Sequence, residues 1–198
     1  MKTPDKLILG VPSKGRLMDQ TGEYFANLGL PYEKVGHERG YRGALTTLPN
    51  AEVAYLSASE IARHLQQGRI HFGVTGEDLI REHIPDADQR CEILARLGFG
   101  QANVVVAVPE CWIDVWTIAD LEEAAAQTAE VIVDIATTGT TLKANHLKIL
   151  TDGMILKSQA CLIASRVAPI SEAGRLAEAT IRNQVAAAVA SSRADVPQ

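Results

Sequence analysis

Short apolar runs of strand length alternate with helix-patterned segments along most of this 198-residue chain, and that alternation restricts the fold more than any other feature. Leu7 to Pro12 is the first run. Arg16 to Asn27 then sets Leu17, Tyr24, Phe25 and Leu28 on one helical face, and Gly29 stands where a helix end favours a left-handed residue. Ala51 to Leu56 reads as a strand, Ala58 to Gln67 as a helix closed by Gly68, and Ile70 to Val74 as a third strand. Glu77 to Glu82 begins another helix, Cys91 to Leu97 and Asn103 to Val108 are strands, and Asp120 to Gln127 is helical. A strand over Glu130 to Ile135, helix from Leu142 onward, a strand over Ala160 to Ser165 and an Ala-rich helix over Ser171 to Ala190 complete the pattern, with a frayed end. Such alternation predicts an α/β fold on a parallel sheet. The most natural lobe boundary is Leu97-Gly98-Phe99-Gly100.

The formal net charge of -5 argues against a general nucleic-acid binder, which needs clustered Lys and Arg, so any anionic ligand must be held by a local site. The first apolar run is too short for a signal segment, and nothing approaches a membrane span. Cys91, Cys111 and Cys161 are scattered and lack CxxC spacing, which fits a reduced, cytoplasmic setting. His37, His64, His71, His83 and His146 show no paired-ligand spacing, so they are expected to be surface or loop histidines, and no protein-held metal is assigned.

The strongest chemical signal is Val131-Ile-Val-Asp-Ile-Ala-Thr-Thr-Gly-Thr-Thr-Leu142, an apolar strand, one carboxylate, a small hydroxyl-rich turn and a helix start. Side chains this small allow consecutive backbone N–H groups to converge on an anion, with Thr137, Thr138, Thr140 and Thr141 adding hydroxyls and Gly139 permitting close approach. An N-cap threonine alone accounts for one or two of these hydroxyls, not for four around a glycine. No Gly-Lys-Ser/Thr follows, so this is not a Walker A loop. Leu9-Gly-Val-Pro-Ser-Lys-Gly-Arg-Leu17 places Lys14 and Arg16 on a turn between strand and helix, and Phe72-Gly-Val-Thr-Gly-Glu-Asp-Leu79 repeats the strand, glycine turn and helix start. Glu77 and Asp78 sit where first-turn acids are favoured in any case.

The strand, acid and Thr-Gly-x-Thr turn is similar to the loop with which phosphoribosyltransferases hold phosphoribosyl pyrophosphate, although many of them carry two adjacent acids where this chain has only Asp134. Taken with Leu97-Gly-Phe-Gly100 and Val106-Ala-Val-Pro-Glu110, the order of the pieces resembles the short form of the ATP phosphoribosyltransferase family, from about Leu7 to Gln127 and from Thr128 to about Ser165. That resemblance implies two α/β lobes like a periplasmic binding protein, residues 1–98 with the return of about 160–198 forming the first and 99–159 the second, with the active site in the cleft between them. It implies transfer of phosphoribosyl to N1 of the adenine of ATP, the first step of histidine biosynthesis, assisted by Mg2+. It also implies a homodimer that works with a regulatory subunit similar to histidyl-tRNA synthetase. Carried over by position, Ala136, Thr137, Thr138, Gly139, Thr140 and Thr141 hold the 5-phosphate, with Asp134 near the ribose hydroxyls. Lys14 and Arg16 act on the pyrophosphate or the ATP phosphates, and Gly76, Glu77 and Asp78 line the cleft near the nucleotide. Arg39 and Arg42 are weaker phosphate contacts, and Ser57 stands where some relatives place an arginine.

One departure is large. Relatives interpose a strand with a Lys-Tyr-type turn, an Arg-bearing helix, another strand and a further helix between the helix ending at Gln127 and the strand at Val131, so the second lobe is expected to be incomplete. The flanks stay family-like up to Gln127 and from Thr128, which favours a stretch left out of the sequence over one lost by evolution; a trans peptide there would set the two Cα atoms about 3.8 Å apart. Two other functions fit less well: a non-catalytic two-lobed ligand-binding protein, which lacks an export signal or a DNA-binding motif here, and a phosphoribosyltransferase for another base.

Overall fold

A computed structural model describes residues 6–35, 41–125, 132–136 and 140–194. The chain divides into two compact units, Met1–Phe99 with Ala160–Gln198, and Gly100–Gln159.

In the first unit the chain runs β1 (Leu7–Pro12), α1 (Gly15–Asn27), β2 (Tyr32–Lys34), β3 (Arg42–Leu45), β4 (Ala51–Leu56), α2 (Ala58–Gln66), β5 (Phe72–Gly76), α3 (Glu77–His83), α4 (Ala87–Arg90) and β6 (Cys91–Arg96). The second unit holds β7 (Ala102–Pro109), α5 (Ile118–Ala125), β8 (Ile132–Ala136), α6 (Thr140–Ala144) and β9 (Leu147–Ser158). The chain then returns to the first unit with β10 (Ala160–Ser165) and α7 (Glu172–Ala194).

The first sheet has the order β2-β3-β4-β1-β5-β10-β6. Only its centre meets the expectation of a parallel sheet: β1 pairs parallel with β4 and β5, whereas β10 runs antiparallel to β5 and β6, and β2, β3 and β4 pair antiparallel. The cause is connectivity. β10 enters at the edge where β6 leaves, so it must run the other way, and β2 to β4 follow one another through short connections.

Period-2 alternation gives this sheet two apolar faces. Leu7, Leu9, Val11, Val53, Phe72, Val74 and Leu162 pack on Phe25 and Leu28 and on Ala177, Ile181 and Val185, which recur every four residues along α7. The opposite face takes Ile61, Ala62 and Leu65 of α2, with Ile80, Cys161 and Ile163. α2 is seated on bare backbone. A Cβ at Gly10 would lie 2.7 Å from Ile70 Cδ1, and one at Gly73 would lie 2.5 Å from Ile61 Cγ2. A reciprocal capping box starts this helix: the Glu60 N–H donates to Ser57 Oγ at 3.3 Å and the Ser57 N–H to Glu60 Oε2 at 2.8 Å.

Ile70, expected inside the third strand, instead fills the space under α2, and the strand runs from Phe72 to Gly76. His71 is likewise no surface histidine. It is buried, its Nδ1 accepts the Ile8 N–H at 3.0 Å, and its Nε2 lies 3.1 Å from the Pro169 carbonyl oxygen, so a neutral ring protonated at Nε2 satisfies both.

In the second unit β8, β7 and β9 form a three-stranded antiparallel sheet. Val105 and Ala107 pack on Leu142 on one face, and Val106 and Val108 on Val115 and Leu150 on the other. Helix was expected from Leu142 onward, but α6 stops at Ala144 and β9 takes over at Leu147. His146 adopts a left-handed φ of 55°, and the Asn145 side chain donates back to the Thr141 carbonyl at 2.8 Å, which together end the helix. Val133, Met154 and Ile155 remain exposed on this sheet. Gln127 and Thr128, the expected site of the missing stretch, lie outside the described residues. Among those described, no helix is long and apolar enough to cross a membrane.

Burial holds the His71 pKa below its usual value near 6.5. A lowered histidine pKa in the folded state contributes stability that is present above the unfolded value and lost as pH falls through the folded one. Urea denaturation should therefore show the protein losing more stability between pH 7.5 and pH 5 than His71→Gln does, with the variant weaker by about 1–2 kcal/mol at pH 7.5. Identical pH slopes for the two proteins would contradict this role.

Candidate active site

The carboxyl ends of β4, β1 and β5 lie side by side on one edge of the first unit's sheet, the edge at which open α/β sheets bind ligands. β1 delivers the Ser13 to Arg16 turn there, tied down by the Ser13 N–H donating to the Leu56 carbonyl at 2.9 Å. Lys14 is extended and exposed, and Gly15 then takes φ +73°, a conformation costly for any residue with a side chain. The turn directs two exposed cations, Lys14 and Arg16, which have no ion-pair or hydrogen-bond partner among the described residues. Ser57, at the end of β4, is fully engaged in capping α2.

β5 delivers Gly76, Glu77 and Asp78 to the same edge. The position a Cβ would occupy at Gly76 is already filled by the Asp78 carboxylate, so a larger residue there would displace it. Glu77 has a partner that sequence reasoning missed. Its carboxylate, only 6% exposed, accepts from Arg96 Nη2 at 2.9 Å and Nε at 3.2 Å, with Arg81 Nη2 at 3.6 Å. Arg96 ends β6, opposite Cys161 of β10, and this brings a third cation to the edge. Cys161 is buried beside this pair, and burial together with the charge of Glu77 pushes its thiol up to about 11, so it is inert as a nucleophile.

Arg42 lies apart from this group. It opens β3 and pairs with Glu52 at 2.9 Å, an acid that Lys6 also reaches at 3.1 Å. Arg39 lies outside the described residues.

In the second unit β8 carries Asp134 opposite Val105 and ends with Ala136 opposite Asn103. Thr140 and Thr141 open α6 and are exposed, and Leu142 anchors that turn in the core. Strand β8 and helix α6 thus follow in the expected order. Thr137, Thr138 and Gly139 lie outside the described residues. Among the described residues, no group of three or more His, Cys, Asp or Glu is placed to hold a metal ion.

A solved ATP phosphoribosyl transferase (HisG:HisZ) complex from Thermotoga maritima has a chain similar to this one in fold, with a TM-score of 0.62 and 17% identity over 90% of this chain and 98% of that one. Sequence likeness is much closer elsewhere. The ATP phosphoribosyltransferase of Rhodopseudomonas palustris (strain HaA2) is 45% identical over 233 residues, covering 94% of this chain and 72% of the relative. That of Bradyrhizobium diazoefficiens is 45% identical over 227 residues, covering 91% and 70%. These matched stretches exceed the 198 residues of the whole chain, so the relatives carry internal sequence with no counterpart here. The family model for ATP phosphoribosyltransferase matches in two pieces, residues 57–128 and 120–185, which overlap over 120–128, a stretch that takes in most of α5 and the point at which the second unit was expected to be shortened. Identity at this level across nearly the whole chain, with both sheets accounted for, makes the protein a member of the ATP phosphoribosyltransferase family.

Proposed function

We propose that the protein transfers the phosphoribosyl group of phosphoribosyl pyrophosphate to N1 of the adenine of ATP, giving phosphoribosyl-ATP and pyrophosphate, the first step of histidine biosynthesis. The observation that carries this reading is 45% identity to ATP phosphoribosyltransferases over 94% of the chain. The residues fit the chemistry. Adenine N1 has a free lone pair and needs no general base, and the first unit's edge offers cations and carboxylates in place of a nucleophile and base. Rate enhancement then rests on positioning and on stabilising the departing pyrophosphate while positive charge builds on the ribose.

In this reading residues 136–141 hold the 5-phosphate through backbone N–H groups and threonine hydroxyls, with Asp134 accepting from the ribose diol. Lys14 and Arg16, exposed on the turn that the Ser13 N–H ties to the Leu56 carbonyl, face the pyrophosphate or the ATP phosphates, and Gly76 and Asp78 approach the nucleotide. Arg39 and Arg42 are weaker contacts, since Glu52 already occupies Arg42. Mg2+ enters the proposal as an ion coordinated chiefly by the substrates' own phosphate oxygens, as its preference for water and phosphate ligands allows. A cytoplasmic homodimer completes the reading, and its association with a histidyl-tRNA-synthetase-like regulatory subunit is supported by the Thermotoga maritima chain of similar fold, which belongs to a HisG:HisZ complex.

A second reading is favoured by the shortened second unit, whose three-stranded sheet leaves Val133 and Ile155 more than half exposed. It makes the chain a protein that binds these substrates without turning them over. Incubating ATP with labelled phosphoribosyl pyrophosphate separates the two, since only the first reading yields labelled phosphoribosyl-ATP.

If the threonine loop holds the 5-phosphate, Thr138→Val combined with Thr141→Val should raise the KM for phosphoribosyl pyrophosphate by about 100-fold or more and leave that for ATP within about twofold, each lost hydrogen bond to a charged group being worth roughly 1.5–3 kcal/mol and each 1.4 kcal/mol about a factor of ten. Equal shifts in both constants would rule the assignment out. Lys14→Ala and Arg16→Ala should each lower kcat by about 10- to 100-fold, because a contact that strengthens in the transition state acts on turnover. Unchanged kcat in both variants would remove them from the leaving-group site. Adding a histidyl-tRNA-synthetase-like subunit from the same source should raise kcat and confer inhibition by histidine, and a chain already fully active and histidine-sensitive alone would refute the partnership.

A further inference from the structure

The Glu77–Arg96 pair is arranged unlike an ordinary surface salt bridge. Its acid is buried, with a side chain 6% exposed, while its base is 55% exposed. Removing a carboxylate from water is costly unless its lone pairs are satisfied. Here they are satisfied by one edge of a guanidinium, Nε and Nη2, with Arg81 near the second oxygen and itself held by Asp88 at 3.0 Å. The result is an arginine whose plane is fixed from beneath. Its other edge, Nη1, has no hydrogen-bond partner among the described residues.

Register places this arginine at the candidate site. Ala160 stands opposite Gly76 and Cys161 opposite Arg96, so Arg96 lies on the edge that carries Gly76 and Asp78. In the order β1-β5-β10-β6 it stands three strand spacings from the Lys14 turn, about 14 Å away. A ligand reaching both must be long or must be two ligands, and the proposed reaction brings together two polyphosphate substrates. An outward guanidinium with one free edge matches the two oxygens of a phosphate, which a lysine at the same place would meet only as a point charge.

We infer that Arg96 is a further substrate-binding residue, gripping a phosphate group of one of the two polyphosphate substrates, and that Glu77 is the positioning residue that fixes its guanidinium; this rests on the proposed phosphoribosyl transfer. Glu77 thereby acts through Arg96 rather than on the nucleotide.

Steady-state kinetics, thermal melts and calorimetric titration with inorganic pyrophosphate, all on the full chain, test this with Arg96→Gln, Arg96→Lys and Glu77→Gln. Arg96→Gln should raise the KM for one substrate at least tenfold, with a smaller change in the other, and weaken pyrophosphate binding by a similar factor. Arg96→Lys should fall between it and the native protein. Glu77→Gln, which leaves the cation but frees its orientation, should reproduce part of the KM rise with less effect on kcat. Arg96→Gln with native KM values and native pyrophosphate affinity overturns the inference, whatever happens to its melting temperature, since that is the signature of a purely structural staple. If Arg96→Gln does not fold, Arg96→Lys decides on the same readouts. Should the native chain not turn over ATP with phosphoribosyl pyrophosphate, the reaction reading fails by itself, and the titration still decides on Arg96: weaker binding in Arg96→Gln upholds the inference, and equal or absent binding in both proteins overturns it.

Discussion

The close seating of α2 on β1 and β5 is the constraint on which the first unit depends. Gly10 and Gly73 remove the two side chains that would otherwise hold the helix off, and Ile61, Leu65 and Ile70 occupy the space released. Close packing makes that fit sensitive to a single methylene. A helix so placed covers the parallel strands on one face while α1 and α7 cover the other, and all three parallel strands then end in turns at one edge. The Lys14 turn, the capped start of α2 and the Gly76 to Asp78 turn are consequences of that arrangement.

Much of this was legible in the residues. The bounds expected for Leu7 to Pro12, Ala51 to Leu56 and Ala160 to Ser165 match the strands found, because each is an apolar run between clear breakers. β2 and β3 were not legible. They are three and four residues long, and Gly43, whose Cβ would lie 2.6 Å from the Glu33 carbonyl, offers no side chain to reveal a pattern. β9 lies where helix was expected from Leu142 onward, and the left-handed turn at His146 with the Asn145 side chain bonded back to Thr141 separates the two. Lys14 and Arg16 could be singled out since one short turn carries both. Arg96 could not: its partner lies 19 residues away on a different element, and only strand order brings them together.

The second unit shows what a reduced sheet does to its own surface. Val106 and Val108 pack against Val115 and Leu150, but Val133 on β8 and Ile155 on β9 stay exposed. The two pieces of the family match overlap over 120–128, so the sequence that relatives carry and this chain lacks would enter near α5, ahead of β8, one of the two edge strands of the sheet. An apolar edge strand without a neighbour invites pairing with another chain.

The insertion of the second unit into the first has a consequence for the order of synthesis. β10 occupies the place between β5 and β6, and α7 covers the apolar face formed by Leu9, Val11 and Phe72, so no arrangement of the first 159 residues completes the first sheet. A ribosome therefore releases the whole second unit, which pairs only within itself, while β5 and β6 still wait for the strand that joins them. The nascent first unit must keep Val74 and its neighbours from aggregating until β10 and α7 emerge, so a segment made after the second unit closes the part made before it.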